Sequence, residues 1–272
     1  MRQFLRILFF LLIPSFVMAV DIPLPQDLNA KAFIVKEERN GLWEKTLIVQ
    51  FPQRRRVLST NDGFVDALVV VNHSAHPLLW KKVCEEMKRE HEVGGKVYMR
   101  KIRENIAQRL GIRSEDIAQM ATAADMDNLA VVTKTFQPFT VTALVTAGAR
   151  TNAIRTGVDE GTHIEGQAPQ GTVNILILTN ARLTDSAAAR AIITATEAKT
   201  AAFEDLQVPS SYTKNVQATG TGTDSVIVVS GTTGPVVTYT GGHSKIGELI
   251  GKAVYEAVVE ALGKQNGFKK KR

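Results

Sequence analysis

Residues 129–147 read LAVVTKTFQPFTVTALVTA. Two runs rich in β-branched residues, Leu129–Phe136 and Phe139–Ala147, are joined over Gln137-Pro138. In the second run Val141, Ala143, Val145 and Ala147 alternate with Thr140, Thr142 and Thr146. The period of two predicts a strand with one buried and one polar face. The pair is a hairpin.

Upstream, Ala32–Lys36 and Leu47–Phe51 form a second hairpin across Asn40-Gly41, a strong turn signal. Ala67–Asn72 is a continuous apolar run, as in a strand buried on both faces. Leu78 to Glu92 and Lys96 to Leu110 are charged and helix-favouring, separated by Gly94-Gly95, and Ser114 predicts a further helix to about Ala124. Downstream, the polar loop Gly148 to Gly171 is long enough to suggest function by its length alone. Val173–Leu178 is an apolar strand. Thr184 or Asp185 starts a helix reaching about Leu206, with Ala188, Ile192, Ala195, Ala202 and Phe203 on its buried stripe and Arg190, Thr194 and Glu197 on another. Val226–Val229 and Val236–Tyr239 are predicted strands. The last helix runs from Lys245 to Leu262 and ends at Gly263. Hairpins followed by helices predict an α+β fold, with mostly antiparallel or mixed sheets covered by helices in an αββα layering.

The 272 residues suffice to bury a core without covalent staples. One cysteine, Cys84, excludes an internal disulfide and a cysteine-based zinc site. It stands in the helix-favouring stretch beside Val83, as a buried structural thiol. The beginning differs in composition: Arg2 and Arg6, an apolar run from Ile7 to Met18, and Val17-Met18-Ala19 form the three parts of a secretory signal. The run is short and broken by Pro14, so an uncleaved anchor is the alternative. The expected organisation is a signal at 1–19, a linker at 20–31, a single domain at 32–263 and a basic tail at 264–272. The location expected is outside the cytoplasm, in a periplasm, and contact with membrane arises only through an uncleaved signal. Net charge is +6, and part of it lies in the terminal Lys269-Lys270-Lys271-Arg272. No aromatic residues interleave with those cations, which argues against nucleic acid as a partner.

His73 and His76 have a His-x-x-His spacing, but they precede Pro77 at a strand end, and no HExxH or cysteine pair supports a metal. No metal site is expected. The Thr219–Asp224 run lacks the Gly-Lys-Ser/Thr ending of a phosphate loop and opens a strand, so a backbone nest oriented by Asp224 fits better. Glu197 and Lys199 stand mid-helix among Ala195, Thr196, Ala198, Ala201 and Ala202, neighbours small enough to suggest close packing. Thr172 follows Gly171 at a strand start, where its hydroxyl could serve as a nucleophile, and a chain cut before it would free an amine as base. The plainer reading is a strand-initiating threonine.

Taken together and in order, the segments Met120–Ala124, Thr146-Ala147-Gly148 with Asn152-Ala153, Gly171–Ile175, Ile193–Ala202, ATGTGTD at 218–224 and His243–Gly251 resemble the CbiZ family of adenosylcobinamide amidohydrolases. The resemblance runs from about Arg56 to the C-terminal helix. It implies corrinoid salvage: hydrolysis of the amide joining aminopropanol to a propionate arm of the corrin ring. The partner implied is a corrinoid, with a corrinoid uptake system as its neighbour. The cobalt belongs to the substrate, so no cofactor is expected. Two departures from the family pattern stand out, Ser244 where Thr is usual and Asp62 where Gly is usual.

A shorter likeness, over about fifty residues from Gly171, is to the self-cleaving β-aminopeptidase and ornithine acetyltransferase superfamily. It agrees with Thr172 as nucleophile. Glu197, Lys199 and Asp224 are then the proton-handling candidates. The backbone and side chains near Gly148–Asn152 would hold the oxyanion. Gly148, Asn152, Asn174, Thr221, Thr223, His243 and Asn72 are expected to contact substrate. Water activated by Glu197 or Asp224 is the rival mechanism. A non-catalytic corrinoid carrier and a peptide amidase are the rival functions.

Overall fold

A computed structural model describes residues 18–39, 41–79, 81, 94–161 and 172–270. Residues 1–17 of the expected signal, Cys84, His91, His163 and Gly171 lie outside them, as does most of the stretch from Leu78 to Glu92. The strands are β1 (Met18–Ile22), β2 (Lys31–Arg39), β3 (Leu42–Ser59), β4 (Gly63–Ala75), β5 (Ile117–Thr122), β6 (Ala130–Phe136), β7 (Phe139–Ala147), β8 (Ala153–Ile154), β9 (Val173–Thr179), β10 (Arg182–Leu183), β11 (Gly220–Thr221), β12 (Ser225–Val229) and β13 (Val236–Val237). The helices are α1 (Gly94–Leu110), α2 (Asp185–Asp205) and α3 (Lys245–Asn266).

One mixed sheet carries nine of these strands, in the order β1-β2-β3-β12-β9-β7-β6, with β4 and β5 branching from β3. The branch depends on the length of β3. Its first half pairs with β2 and β4, the register shifts between Gln50 and Arg55, and Val57–Ser59 pair with β12. The long strand therefore passes from one half of the sheet to the other, and the sheet curls on itself. Leu47, Val49, Val57, Val70 and Met120 share one buried interior cluster with Leu144, Leu176, Leu178, Ile227 and Val229. The opposite face of β7, β9 and β12 packs on α2 and α3, and the outer face of β3 and β4 packs on α1. The layering is helix, sheet, sheet, helix: an α+β fold.

Local chemistry explains the helix ends. Thr184 Oγ1 accepts from Ala187 N at 3.2 Å and Ser244 Oγ from Gly247 N at 3.1 Å, each at the N-cap of its helix. Along α3, Ile246, Leu249, Ile250, Ala253, Val254, Ala257, Val258, Ala261 and Leu262 are buried at helical spacing. Each large aliphatic among them contributes roughly 1.5–3 kcal/mol by leaving water.

Several expectations need correction. The segment after Ser114 is a 3-10 turn (Ser114–Asp116) followed by β5, not a helix. Parallel pairing of Ile117–Thr122 with Val69–Ser74 satisfies the backbone and overrides local propensity. Thr140, Thr142 and Thr146 do not face solvent, because β7 is covered on both sides; Thr142 and Thr146 are fully buried. The α3 helix passes through Gly263 and stops at Gly267, whose φ of 75° suits the left-handed cap. Residues 20–22, read as linker, belong to β1, which pairs with β2. On α2, Thr194 is buried and donates to Thr240 O at 2.9 Å.

A Cβ added at Gly231 would overlap the backbone carbonyl of Asn180, whereas one at Gly242 meets nothing within 4 Å. Gly231→Ala is expected to cost about 1–3 kcal/mol through overpacking, and Gly242→Ala to be nearly neutral. Urea-unfolding midpoints of the two variants check this, and equal midpoints would contradict it.

Candidate active site

The parallel pair β9 and β12 aligns Asn174 with Ser225. That register brings the residues just before each strand, Thr172 and Thr223-Asp224, to one end of the sheet. The α2 helix runs over this end and delivers Lys199. Its ammonium pairs with Asp224 Oδ2. Asp224 Oδ1 accepts from Val173 N at 3.2 Å, from Thr221 N at 3.1 Å and from Thr221 Oγ1 at 2.5 Å. One carboxylate thus ties the first residue of β9, the turn of β11 and a helical lysine together. Gly220 allows the approach, since a Cβ there would collide with both Lys199 Nζ and Asp224 Oδ2.

Thr172 is buried beside this pair. Its Oγ lies 2.6 Å from Thr223 O and 2.9 Å from Asn174 Oδ1. Asn174 is fully buried; its Nδ2 donates to Asn72 Oδ1 at 2.9 Å and to Ala121 O at 2.8 Å. Asn72 Nδ2 donates to Thr146 Oγ1 at 3.0 Å. These contacts join β9 to β4, β5 and β7 through the interior.

The flank of the site comes from the loop after β7. Gly148 N donates to Thr172 O at 3.1 Å and Ala149 N to Asn266 Oδ1 at 2.8 Å. Both N–H groups are therefore committed in this conformation, contrary to a ready oxyanion hole at that place. Asn152 is buried, with its backbone oxygen accepting from Gly222 N at 3.2 Å and its Oδ1 from Tyr212 OH at 2.8 Å. Tyr212 itself is half exposed at the rim, a residue that the sequence did not bring forward.

Thr172, Lys199, Asp224, Thr221, Thr223, Asn174, Asn72, Gly148 and Asn152 are gathered. Glu197 and His243 are not. Glu197 is exposed on α2, about 200° around the helix from Lys199, so its small neighbours do not enclose it. His243 is exposed before α3. That end of α3 lies near the tip of the β6–β7 hairpin, where Lys245 Nζ sits 4.6 Å from the Phe136 ring. Val141, close to that tip, pairs with Thr179 at the far end of β9 from Thr172. The two departures from the family pattern also have local explanations. Ser244 is the α3 cap. Asp62 is held by Arg103 Nη2 at 2.5 Å, Ser59 Oγ at 3.1 Å and Gln119 N at 3.1 Å. His73 is buried, with its ring nitrogens 2.9 Å from Thr46 Oγ1 and Tyr98 OH, while the His76 Nδ1 accepts from Leu78 N.

A hydroxyl, a carboxamide and a lysine–carboxylate pair drawn together at strand ends make a set suited to acyl transfer. A family model described as adenosylcobinamide amidohydrolase, CbiZ, matches residues 31–270, and the chain belongs to that family. It is 47% identical over 248 residues to the uncharacterized protein MJ1613 of Methanocaldococcus jannaschii, covering 85% of this chain and 92% of that one. It is 31% identical over 165 residues to the adenosylcobinamide amidohydrolase of Methanosarcina mazei, covering 57% and 70%. Among solved structures, the PH0078 protein from Pyrococcus horikoshii aligns with a TM-score of 0.41 at 12% identity, over 81% of this chain and 78% of that one.

Asp159 fastens the loop that follows Asn152. Its carboxylate accepts from Arg155 N and Ser210 Oγ, each at 2.6 Å, and from Thr213 Oγ1. The Arg155 N–H and the two hydroxyls hold its carboxyl below the ordinary carboxylate range. A depressed folded pKa means that this stabilisation is complete above the unfolded value of about 3.9 and is lost as pH falls through the lower folded value. Hydrogen exchange of residues 153–160, taken relative to the intrinsic rate at each pH, should therefore rise on acidification below about pH 4. In Asp159→Asn it should be raised already at neutral pH, and wild-type-like protection in that variant would contradict the assignment.

Proposed function

We propose that this protein hydrolyses the aminopropanol amide of adenosylcobinamide, with Thr172 as nucleophile. Family membership supports the substrate, and the placement of Thr172 against the Lys199–Asp224 pair carries the mechanistic part. Thr172 Oγ attacks the amide carbon, and its proton is passed to the leaving nitrogen as the C–N bond breaks. Aminopropanol departs, leaving an ester on Thr172. Water then cleaves the ester, releasing the corrinoid acid and restoring the hydroxyl. Lys199, held by Asp224, supplies positive charge where the oxyanion develops.

The acceptors around Thr172 in the intact chain are an amide and a backbone carbonyl, neither of which is a base at neutral pH. A chain cut at the Gly171–Thr172 bond would supply the base as its own α-amine. Activation of water by Asp224 is less well supported, because its oxygens already accept from Lys199, Thr221 and Val173. Glu197 faces solvent. The reading extends to location: an exported enzyme acting beside a corrinoid uptake system. A mature chain beginning at Val20 would keep the pairings of Val20, Asp21 and Ile22 with β2.

Mass spectrometry of the purified mature protein incubated with adenosylcobinamide tests the proposal by following both small molecules and the chain. The expected result is aminopropanol and a cobyric acid product, lost in Thr172→Ala, which still co-elutes with the corrinoid. Turnover retained by Thr172→Ala would remove the nucleophile assignment. Unchanged adenosylcobinamide with wild type would remove the activity. Lys199→Met is expected to lower kcat roughly 100-fold or more, and an unchanged kcat would exclude its part in the reaction.

A further inference from the structure

Asn174 and Asn72 share an orientation that the backbone dictates. Ala121 O can only accept, so the group of Asn174 facing it at 2.8 Å must be the NH2. The second N–H of that group meets Asn72 Oδ1 at 2.9 Å, which turns the Asn72 NH2 toward Thr146 Oγ1 at 3.0 Å. With both donors of Asn174 used, its Oδ1 is left pointing at Thr172 Oγ, 2.9 Å away. Asn174 is fully buried and Asn72 is 2% exposed, so neither amide is offered to a ligand.

Three buried polar residues amid Leu144, Leu176 and Met120 carry a desolvation cost that an apolar substitution would avoid. They confer direction instead. An amide oxygen fixed by a chain that ends on a main-chain carbonyl shares the single proton of the Thr172 hydroxyl with Thr223 O, 2.6 Å away, and holds Thr172 Oγ in one rotamer, with a lone pair left for attack, until that proton is passed on. We infer that Asn174, oriented by Ala121 O and Asn72, is the positioning residue for the Thr172 hydroxyl. This inference rests on the proposed nucleophilic role of Thr172. It replaces substrate contact as the role of both asparagines.

The test uses two readouts on the full-length protein. In adenosylcobinamide turnover, Asn174→Ala should lower kcat roughly 100-fold while KM stays within about threefold. Asn72→Ala, which leaves the Ala121 O anchor, should lose roughly tenfold. Asn174→Asp keeps the shape but can donate to Ala121 O only when protonated, so it should recover part of kcat only at low pH and add an ionisation to the acid limb of the pH–rate profile. A raised KM at unchanged kcat would mean substrate contact. Equal losses in all three variants, with no change in pH profile, would mean a purely structural role. Either result overturns the inference.

The second readout needs no corrinoid. A β-lactone probe should acylate Thr172 in wild type, seen by intact mass and peptide mapping, and label Asn174→Ala at least tenfold more slowly. If wild type labels but does not turn over adenosylcobinamide, the substrate reading fails and the positioning role stands on the dependence of labelling on Asn174. Labelling independent of Asn174 would overturn the positioning role alone.

Discussion

The carboxylate of Asp224 is the contact on which the site depends. A parallel strand pair leaves its starting ends free to diverge, because no short turn joins them. Here the divergence is prevented by a side chain: Asp224, one residue before β12, accepts from Val173 N, the first N–H of β9, and from Lys199 on the helix above. Charge-assisted bonds of this kind are stronger than neutral ones. The pair is largely buried, so the cost of desolvating each charge is offset only while both partners remain. The Thr172 hydroxyl takes its place from this clasp, lying between Thr223 O and Asn174.

The polar chain from Thr172 to Thr146 is possible because the sheet curls. Asn72 on β4 and Asn174 on β9 belong to opposite layers, and they meet because β3 carries the sheet from one layer into the other across its register shift. At the middle of the interior the facing residues are aliphatic. At the end nearest Thr172 they are amides and hydroxyls, each satisfied by another. The geometry that buries the core therefore also fixes the polar end.

Much of this was legible in the sequence because period-two patterns and turn signals act locally. The hairpin at Gln137-Pro138, the β2–β3 hairpin, the cap at Thr184 and the α+β class all follow from short-range chemistry. What was not legible depends on distant partners. The strand β5 exists because β4 offers an unpaired edge, and nothing between Ser114 and Thr122 announces that edge. The threonines of β7 read as a wet face because alternation cannot tell solvent from a second layer that satisfies hydroxyls. Glu197 and Lys199 looked equivalent by composition, yet the helical period sends one to solvent and the other to Asp224. His243 was gathered with the site by motif order, although the length of β9 separates the two ends.

The same separation bears on the departures from the family pattern. Ser244 and Asp62 are each used by the chain itself. The serine hydroxyl caps a helix, a task that threonine performs by the same hydrogen bond. The Asp62 carboxylate is engaged by Arg103, Ser59 and the N–H of Gln119, so it does not stand as a free anion beside a ligand. A family difference that is absorbed by a helix cap or an internal ion pair changes how an element is anchored and leaves the reacting groups as they were. The reacting groups proposed here lie around Thr172, and neither departure touches them.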